Sequence, residues 1–251
     1  MACNSNRYQY ETLRNCSLQL VKLLELENEV VDCRVLRRDW AKLPSTEYAL
    51  MRGKEVILHC ELCSVYGQVF TDTHLPFKGL VKDVLNLDLK TSHNRAVFFA
   101  TLNAIMHLSG KLPRTVHCRG VDAENCGELM VKYLKTRFGE AKVLHVGYQP
   151  GHIKALVSAF KDVYVTDMNP ENVGKTKFGI KILPRKLNPK LIKKADVVCI
   201  TGSTLINGTL FSLIAECEKQ NTPFVLYGVS AKSAAKFLGY DTFCPLCSDE
   251  I

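Results

Sequence analysis

The sequence predicts an α/β protein with a Rossmann-like, doubly wound parallel sheet in residues 139–251 and a smaller α+β domain in residues 1–138. In the second part, short β-branched runs alternate with apolar segments of helical period, which is the pattern of a parallel sheet covered by helices. Strands are expected near residues 143–146, 163–166, 180–183, 197–200 and 224–227. The rhythm changes at Gly139, and we place the domain boundary there.

The first part mixes helical and strand-like patterns without that alternation. Helices are predicted at residues 8–26, 80–85, 93–108 and 123–138, and strands at residues 30–37, 48–51 and 55–70. The break at Arg52-Gly53-Lys54 separates the last two strand-like runs and suggests a hairpin at that point.

A glycine-bounded turn follows the first strand of the alternating part. Gly147 and Gly151 enclose this turn, and the next strand ends at Asp167, which is 20 residues after Gly147. In Rossmann-type units such glycines let the backbone approach a ligand, and the acid accepts hydrogen bonds from a ribose. The turn is GxxxG rather than GxGxxG, so it is similar to nucleoside-binding proteins such as methyltransferases more than to dehydrogenases. We predict a nucleoside-type ligand at these three residues and Asn169; the alternative is an ordinary glycine turn with an acid that caps the next helix.

A second polar cluster follows the fourth strand of the same part, in the string ITGSTLINGTL. Small polar residues at the carboxyl end of a parallel strand are typical of a loop that binds phosphate or carboxylate. The candidate ligand-binding residues here are Gly202, Ser203, Thr204 and Asn207. The alternative is that the hydroxyl side chains only cap helices.

Two polar residues of the predicted helix at 93–108 complete the candidate site. Arg95 and Asn103 are eight residues apart, which places them about 80° apart around a helix, close enough to face one cleft. A buried arginine must be paired or meet an anion. The alternative is an arginine that is salt-bridged to the sheet and an asparagine that caps a loop.

The charge distribution and the hydropathy of the chain restrict the kinds of partner that the protein can bind. The net charge of +8 matches the eight Lys or Arg of residues 175–194, a segment without an acid. Such a face attracts anions, including RNA phosphates, but it contains a single aromatic residue, Phe178, and no RNA-binding signature, so we expect a solvated face and no specific nucleic-acid binding. No apolar run approaches the length of a bilayer span, and the start of the chain lacks the apolar core of a signal peptide. We therefore expect a cytoplasmic protein without a membrane partner.

The 11 cysteines include two CxxC pairs. Cys60 and Cys63 lie in a strand pattern, where residues three apart point to opposite faces, so joint coordination of a metal is disfavoured. Cys244 and Cys247 lie around a proline in a predicted loop, and with His117 and Cys118 they are the candidate ligands for zinc or a softer heavy metal. A reactive dithiol and inert buried cysteines are the alternatives.

Three strings, NRAVFFATLNAIM, ITGSTLINGTL and FVLYGVSAKSAAKFLGYDTFCP, resemble the putative heavy-metal chelation family, and the resemblance extends from about Gly67 to Pro245. It implies a Rossmann-like domain preceded by an enolase N-terminal-like domain, with an active site between the two. It also implies a connection with metal-chelating small molecules. The rim from Tyr227 to Ala231 lacks the proline that is associated with many members.

The sequence contains no GxSxG, HExxH or Walker lysine, so acyl hydrolysis and P-loop phosphoryl transfer are disfavoured. Whether the protein is an enzyme stays open. We predict a small-molecule-binding protein or enzyme with an interdomain cleft, acting on a pterin-, flavin- or siderophore-like metabolite linked to heavy-metal chelation. The alternative is a metal-binding protein with cysteine ligands, and a homo-oligomer is compatible with either.

Overall fold

The structure, a computed structural model, describes residues 2–248, and the side chains of residues 8–248. Its N-terminal part contains five α-helices: α1 (Ala2–Leu23), α2 (Arg38–Ala41), α3 (Val81–Leu85), α4 (Ser92–Leu108) and α5 (Asp122–Phe138). Four strands form an antiparallel sheet in the order β3-β2-β1-β4. They are β1 (Val30–Leu36), β2 (Val56–Leu62), β3 (Val65–Thr71) and β4 (Phe77–Leu80).

The C-terminal part alternates strands with helices, as the sequence predicts. Its strands are β5 (Val143–Val146), β6 (Val163–Asp167), β7 (Thr176–Lys177), β8 (Ile180–Pro184), β9 (Val197–Thr201), β10 (Phe224–Tyr227) and β11 (Thr242–Phe243). Its helices are α6 (Pro150–Ala159), α7 (Asn188–Ile192), α8 (Ser203–Asn207), α9 (Leu210–Lys219) and α10 (Lys232–Leu238). All five predicted strands are present; β7 and β11, of two residues each, are additional.

The parallel strands of this sheet lie in the order β8-β6-β5-β9-β10-β11, with β7 antiparallel at the edge. Numbered along the chain, the order is 3-2-1-4-5-6, which is that of a Rossmann-type sheet. The direction of winding reverses between β5 and β9, so the loops after these two strands diverge and leave a crevice. Both predicted ligand loops begin there.

Two predictions for the N-terminal part are wrong. Residues 48–51 do not form a strand; a short 3-10 helix covers Ala49–Arg52 instead. The hairpin turn lies at Cys63 and Ser64, inside the long strand-like run, and not at Arg52-Gly53-Lys54. Both turn residues have left-handed backbone angles, with φ of 48° and 62°. A two-residue hairpin loop requires that conformation, and the usual Asn-Gly signal for it is missing.

Helix α4 joins the two sheets. Its residues from Arg95 to Met106 are all buried, because β2 and β3 cover one side of the helix and α8 and α10 cover the other. Helix α1 also packs on α9 and α10, and α5 packs on α6. The two parts therefore share one continuous core, and the domain boundary at residue 139 stays a prediction.

Two sequence features have a clear location in this fold. Cys33 and Cys60 are directly opposite each other on β1 and β2 and form a disulfide, so Cys60 is not part of a CxxC metal site. Seven of the eight basic residues at 175–194 are exposed, and the eighth, Lys177, forms an ion pair with Glu47 at 2.7 Å. Within residues 2–248 no helix has both the length and the apolar character needed to cross a bilayer.

Candidate functional site

A cavity of about 550 Å³ lies at the carboxyl ends of β5, β6, β9 and β10. Residues of the N-terminal part, among them Leu50 and Phe70, form one wall, and the loops of the parallel sheet form the other. Concave sites at the switch point of an open α/β sheet are where such folds bind ligands. Seven of the predicted ligand-binding residues line this cavity: Gly147, Asp167, Asn169, Gly202, Ser203, Thr204 and Asn207.

Gly147 is required for packing as well as for its backbone conformation. Its φ is +96°, and a Cβ atom there would lie 2.8 Å from Cγ2 of Thr201 and 3.0 Å from the Tyr227 hydroxyl. Any side chain would therefore collide with the neighbouring strands β9 and β10. The glycine signal in the sequence has this steric origin, whether or not a ligand approaches the loop.

Asp167 is already engaged by the protein. Its carboxylate accepts hydrogen bonds from the backbone N–H of Tyr148 at 2.9 Å, the N–H of Asn169 at 2.7 Å and the Asn172 amide at 3.0 Å. An ionised carboxylate has about four acceptor positions, so roughly one is left for a ligand. Asp167 both fixes the loop after β5 and faces the cavity.

Gly151 does not line the cavity. A Cβ atom on this residue would lie 2.4 Å from the carbonyl oxygen of Ala123, and one on Gly127 would lie 2.2 Å from the carbonyl oxygen of Gly151. The two glycines let helices α5 and α6 approach closely. The second glycine of the turn thus serves helix packing, which the GxxxG spacing could not distinguish from ligand approach.

In the loop after β9, polar side chains form local hydrogen bonds and also line the cavity. The Thr204 hydroxyl donates to the Thr201 carbonyl oxygen at 2.6 Å, and Oδ1 of Asn207 accepts from the N–H of Thr209 at 3.1 Å. The Ser203 hydroxyl contacts only the Thr201 hydroxyl, at 3.1 Å, among the side chains that the structure describes. Ser203 is therefore the member of this cluster with the most capacity for a ligand.

Arg95 and Asn103 lie outside the cavity, contrary to the prediction. Arg95 donates from Nε to the carbonyl oxygen of Ile206 at 2.7 Å and from Nη1 to that of Leu89 at 2.8 Å. Asn103 donates to the Gln68 and Val229 carbonyl oxygens at 3.0 and 3.1 Å, and accepts from the Ser233 N–H at 3.1 Å. Helical spacing correctly placed both side chains towards the C-terminal part, but backbone groups of both parts satisfy them.

Glu55 is a cavity residue that the sequence did not single out. Burial, reinforced by the nearby charges of Asp167 and Asp72, raises the pKa of Glu55 to about 7. A carboxyl group in this range exchanges protons near neutral pH, as general acids and bases do. The signal for Glu55 that the sequence offered was a charged residue immediately before the apolar start of β2, Val56-Ile57-Leu58.

Among the polar groups in the cavity wall, Oγ1 of Thr166, on β6, and Oδ1 of Asn188, at the start of α7, have no hydrogen-bond partner within the described part of the chain. Both residues are buried. An unpaired buried polar group costs about 1–3 kcal/mol, so each would gain from a ligand or an ordered water.

A row of hydrogen-bonded thiol and imidazole groups borders the other end of the cavity. Sγ of Cys126 lies 3.2 Å from Nε2 of His152, and Nδ1 of His152 lies 3.2 Å from Nε2 of His145. Nδ1 of His145 lies 2.7 Å from the carbonyl oxygen of Gly147. Burial lowers the pKa of both histidines, to about 4 for His145, so both imidazoles are neutral at pH 7.

The predicted metal ligands occupy the same end without forming a metal centre. Cys244, Cys118 and His117 line the cavity, whereas Cys247 is buried beside the Lys232 ammonium group, with 2.9 Å between Sγ and Nζ. A hydrogen bond from Cys244 and the charge of Lys232 lower the pKa of Cys247 to about 6. Residues 2–248 contain no group of three or more His, Cys, Asp or Glu side chains that could hold a metal ion. The proposed ligand set stays a prediction.

Comparison with known proteins supports the family resemblance. No protein of curated function matches this chain. A solved structure of a protein of unknown function from the DUF364 family of Pyrococcus horikoshii has a TM-score of 0.51 and 13% identity, over 90% of this chain and 81% of that one. This likeness shows the fold alone.

Two further solved structures are more distant. A DUF364 protein of unknown function from Desulfitobacterium hafniense has a TM-score of 0.48 and 15% identity, over 70% of each chain. A protein from Sorangium cellulosum, described as a mandelate racemase/muconate lactonizing enzyme, has a TM-score of 0.31 and 13% identity, over 90% of this chain and 91% of that one. At these scores neither supports a structural argument, and the enolase-like character of the N-terminal part stays a prediction.

A family model matches the sequence of the C-terminal part. Residues 131–242, which contain the whole ITGSTLINGTL string, match DUF364, described as putative heavy-metal chelation. At residues 131–242 this chain is therefore similar to the putative heavy-metal chelation family, as the sequence strings indicated.

Proposed function

We propose that this protein binds a small polar metabolite in the cavity between the parallel sheet and the N-terminal part. The observation that carries the proposal is the position of a 550 Å³ cavity at the switch point of the sheet. The unpaired groups of Thr166 and Asn188 in its wall support a polar ligand, because a bound molecule would satisfy them.

The charges around the cavity favour a neutral or cationic ligand. The carboxyl groups among the lining residues belong to Glu55, Asp167 and Glu216, whereas Arg185 is the one lysine or arginine among them. Burial lowers the pKa of the lining His117 to about 4, so it is neutral at pH 7. Carboxylates accept hydrogen bonds from ligand hydroxyl and N–H groups and repel phosphates. A nucleoside-type ligand or a pterin- or flavin-like ring fits this environment better than a nucleotide polyphosphate.

The family description suggests that this metabolite is connected with heavy-metal chelation, as a siderophore-like or pterin-like compound would be. In this proposal the metal belongs to the chemistry of the ligand, and the cavity recognises the organic part. The exposed basic segment at 175–194 would then be a solvated face. We propose no specific nucleic-acid partner and no membrane partner for it.

Calorimetry tests the proposal. S-adenosylmethionine, its demethylated product, adenosine, adenine nucleotides and pterins are titrated into the wild type and into Ser203→Phe, which places a ring in the cavity. The matched control is Ser158→Phe, on the exposed face of α6. We expect at least one uncharged or cationic compound to bind the wild type and the control, and to bind Ser203→Phe at least tenfold more weakly. Equal binding to all three proteins, or binding by none of the compounds, would refute the proposal.

The alternative, a metal-binding protein, has its own test. Cys118, Cys126, Cys244 and Cys247 are near enough to influence one another's pKa, so this neighbourhood is where a soft metal would be sought. Metal content after anaerobic purification is compared between the wild type and Cys244→Ser/Cys247→Ser. Stoichiometric metal in the wild type that is lost in the double variant would favour the alternative, and equal traces in both would reject it.

A further inference from the structure

The contact between Cys126 and His152 differs from ordinary core packing because the thiol faces a cavity. Cys126 is half-buried on α5 and lines the cavity, while His152, on α6, is buried directly behind it. The close approach of α5 and α6 at Gly127 and Gly151 brings the two side chains together. A thiol that is accessible from a ligand cavity and hydrogen-bonded to an imidazole is the arrangement of an activated nucleophile.

The direction of each hydrogen bond in the row is fixed by its last acceptor. The Gly147 carbonyl oxygen can only accept, so Nδ1 of His145 carries a proton and donates to it. Neutral His145 then accepts at Nε2, and His152 must donate from Nδ1. This leaves Nε2 of His152 as an unprotonated acceptor that faces the Cys126 thiol. The protein thus selects the one tautomer of His152 that can take a proton from Cys126.

We propose that Cys126 is a catalytic nucleophile for acyl transfer from an ester or thioester in the cavity, with His152 as its general base and His145 as a positioning residue. The proposal rests on the proposed function, because the acyl compound would occupy the same cavity. The row resembles a nucleophile, base and orienting group in its geometry, with a second imidazole in the place of the usual carboxylate.

The step balances without an oxidant or a metal. Sγ of Cys126 forms a bond to the carbonyl carbon while its proton passes to Nε2 of His152. The bond from that carbon to the leaving oxygen or sulfur then breaks, and His152 returns the proton to the departing group. The products are an acyl-thioester on Cys126 and a free alcohol or thiol, and attack by water or an acceptor with His152 again as base releases the acyl group.

Both members of the pair are neutral at rest. Burial raises the pKa of the Cys126 thiol to about 12, and the same cause lowers the pKa of His152 well below its usual range. The thiol is therefore not a preformed thiolate and needs the base at the moment of attack. The other titratable groups around the pair are Tyr48, Cys118, Asp122, Cys247, His145 and Tyr227.

The chain offers a matched pair for comparison. Cys118 and His117 line the same cavity, but Nδ1 of His117 donates to the backbone carbonyl oxygen of Cys118 and not to its sulfur. The same two residue types are therefore present nearby without a hydrogen bond from thiol to imidazole. Any reactivity that depends on this bond should be confined to Cys126.

The experiment uses the full-length protein and p-nitrophenyl acetate as the acyl donor. We expect a burst of about one equivalent of p-nitrophenolate, with the acetyl group found on Cys126 by peptide mass mapping of the wild type. Cys126→Ala should abolish the burst, and His152→Gln should slow it by about 100-fold or more. Cys63→Ala, which removes an exposed free thiol from the turn between β2 and β3, should leave the burst unchanged, and no acetyl group should be found on Cys118 of the wild type.

The pH profile separates the proposed pair from an ordinary thiol. Since His152 is unprotonated throughout, the burst rate should be nearly constant from about pH 6 to pH 9. A thiol that reacts only as its thiolate accelerates tenfold per pH unit below its pKa. Such a slope, acetylation of other residues only, or an unchanged burst in Cys126→Ala would overturn the proposal, and the mapping needs no variant that might unfold. Compounds that bind in the calorimetric test should still bind Cys126→Ala, so failure of the nucleophile and failure of the binding site are distinguishable.

Discussion

The carboxylate of Asp167 accepts a hydrogen bond from the backbone N–H of Tyr148, with 2.9 Å between Oδ2 and N. The acid at the tip of β6 thereby fixes the loop that follows β5. The sequence signal of glycine turn and distant acid is thus explained first by an internal contact. A ligand at this site would meet a loop that is already held in place.

Asp167→Asn should lower the free energy of unfolding by about 2–4 kcal/mol. The amide would present N–H groups to at least one of the three donors that Asp167 now accepts from, and hydrogen bonds to a charged group contribute about 1.5–3 kcal/mol each. Urea unfolding measures the change. Asp162→Asn, at the start of the same strand, is the control, and an equal, small effect in both variants would contradict the structural role.

Asn103 connects three separate segments, so its loss should be more costly than that of a surface asparagine. Asn103→Leu removes the bonds to Gln68, Val229 and Ser233 and leaves their backbone groups buried. We expect a loss of about 2–4 kcal/mol in urea unfolding, since each unsatisfied buried group costs about 1–3 kcal/mol. Asn94→Leu, whose side chain forms one exposed bond, should cost less than about 1 kcal/mol. Comparable losses in both variants would argue against this role.

Gly127→Ala should destabilise the protein, although alanine normally stabilises a helix interior by about 0.5–1 kcal/mol over glycine. The added Cβ would lie 2.2 Å from the Gly151 carbonyl oxygen, so α5 and α6 must separate. Overpacking of this kind costs about 1–3 kcal/mol, which thermal unfolding detects. Glu128→Ala, on the exposed face of the same helix, is the control. A raised melting temperature in Gly127→Ala would show that the two helices are not in close contact.

Glu55 should make stability depend on pH. Its pKa is raised from 4.5 to about 7 in the folded protein, so the folded state holds a proton that the unfolded state has lost. Its contribution is fully present below about pH 4.5 and is lost as the pH rises through 7. Relative to Glu55→Gln, the wild type should therefore lose about 1–3 kcal/mol between these values. Unfolding of Glu128→Gln against pH is the control, and a parallel profile for wild type and Glu55→Gln would contradict the shift.

Cys247 should titrate near pH 6 rather than near pH 9. The Cys244 thiol and the Lys232 ammonium group stabilise its thiolate, so Lys232→Met should raise the midpoint. Ultraviolet absorbance of the thiolate in the reduced protein follows the titration, and Cys247→Ser identifies the signal. Lys236→Met, an exposed position one turn along α10, should not move the midpoint. A midpoint that Lys232→Met leaves unchanged would exclude this ion pair.

The sequence by itself determined the α/β class, the five central strands of the parallel sheet and the similarity of residues 131–242 to the putative heavy-metal chelation family. Periodicity carries this information because alternating short strands and amphipathic helices can bury their apolar faces in few ways. It also located the loops of Gly147 and Ser203, since small residues at the ends of parallel strands meet at one edge of the sheet.

Only the tertiary structure decided what individual polar residues do. Arg95 and Asn103 point in the direction that the sequence predicted for a cleft. Their N–H groups, however, donate hydrogen bonds to backbone carbonyl oxygens that are distant in sequence. Glu55 lies on the cavity because two sheets converge, and Cys126 meets His152 because two glycines let α5 and α6 approach. Hydrogen-bond partners and burial arise from contacts between segments far apart along the chain, and no local pattern in the sequence encodes them.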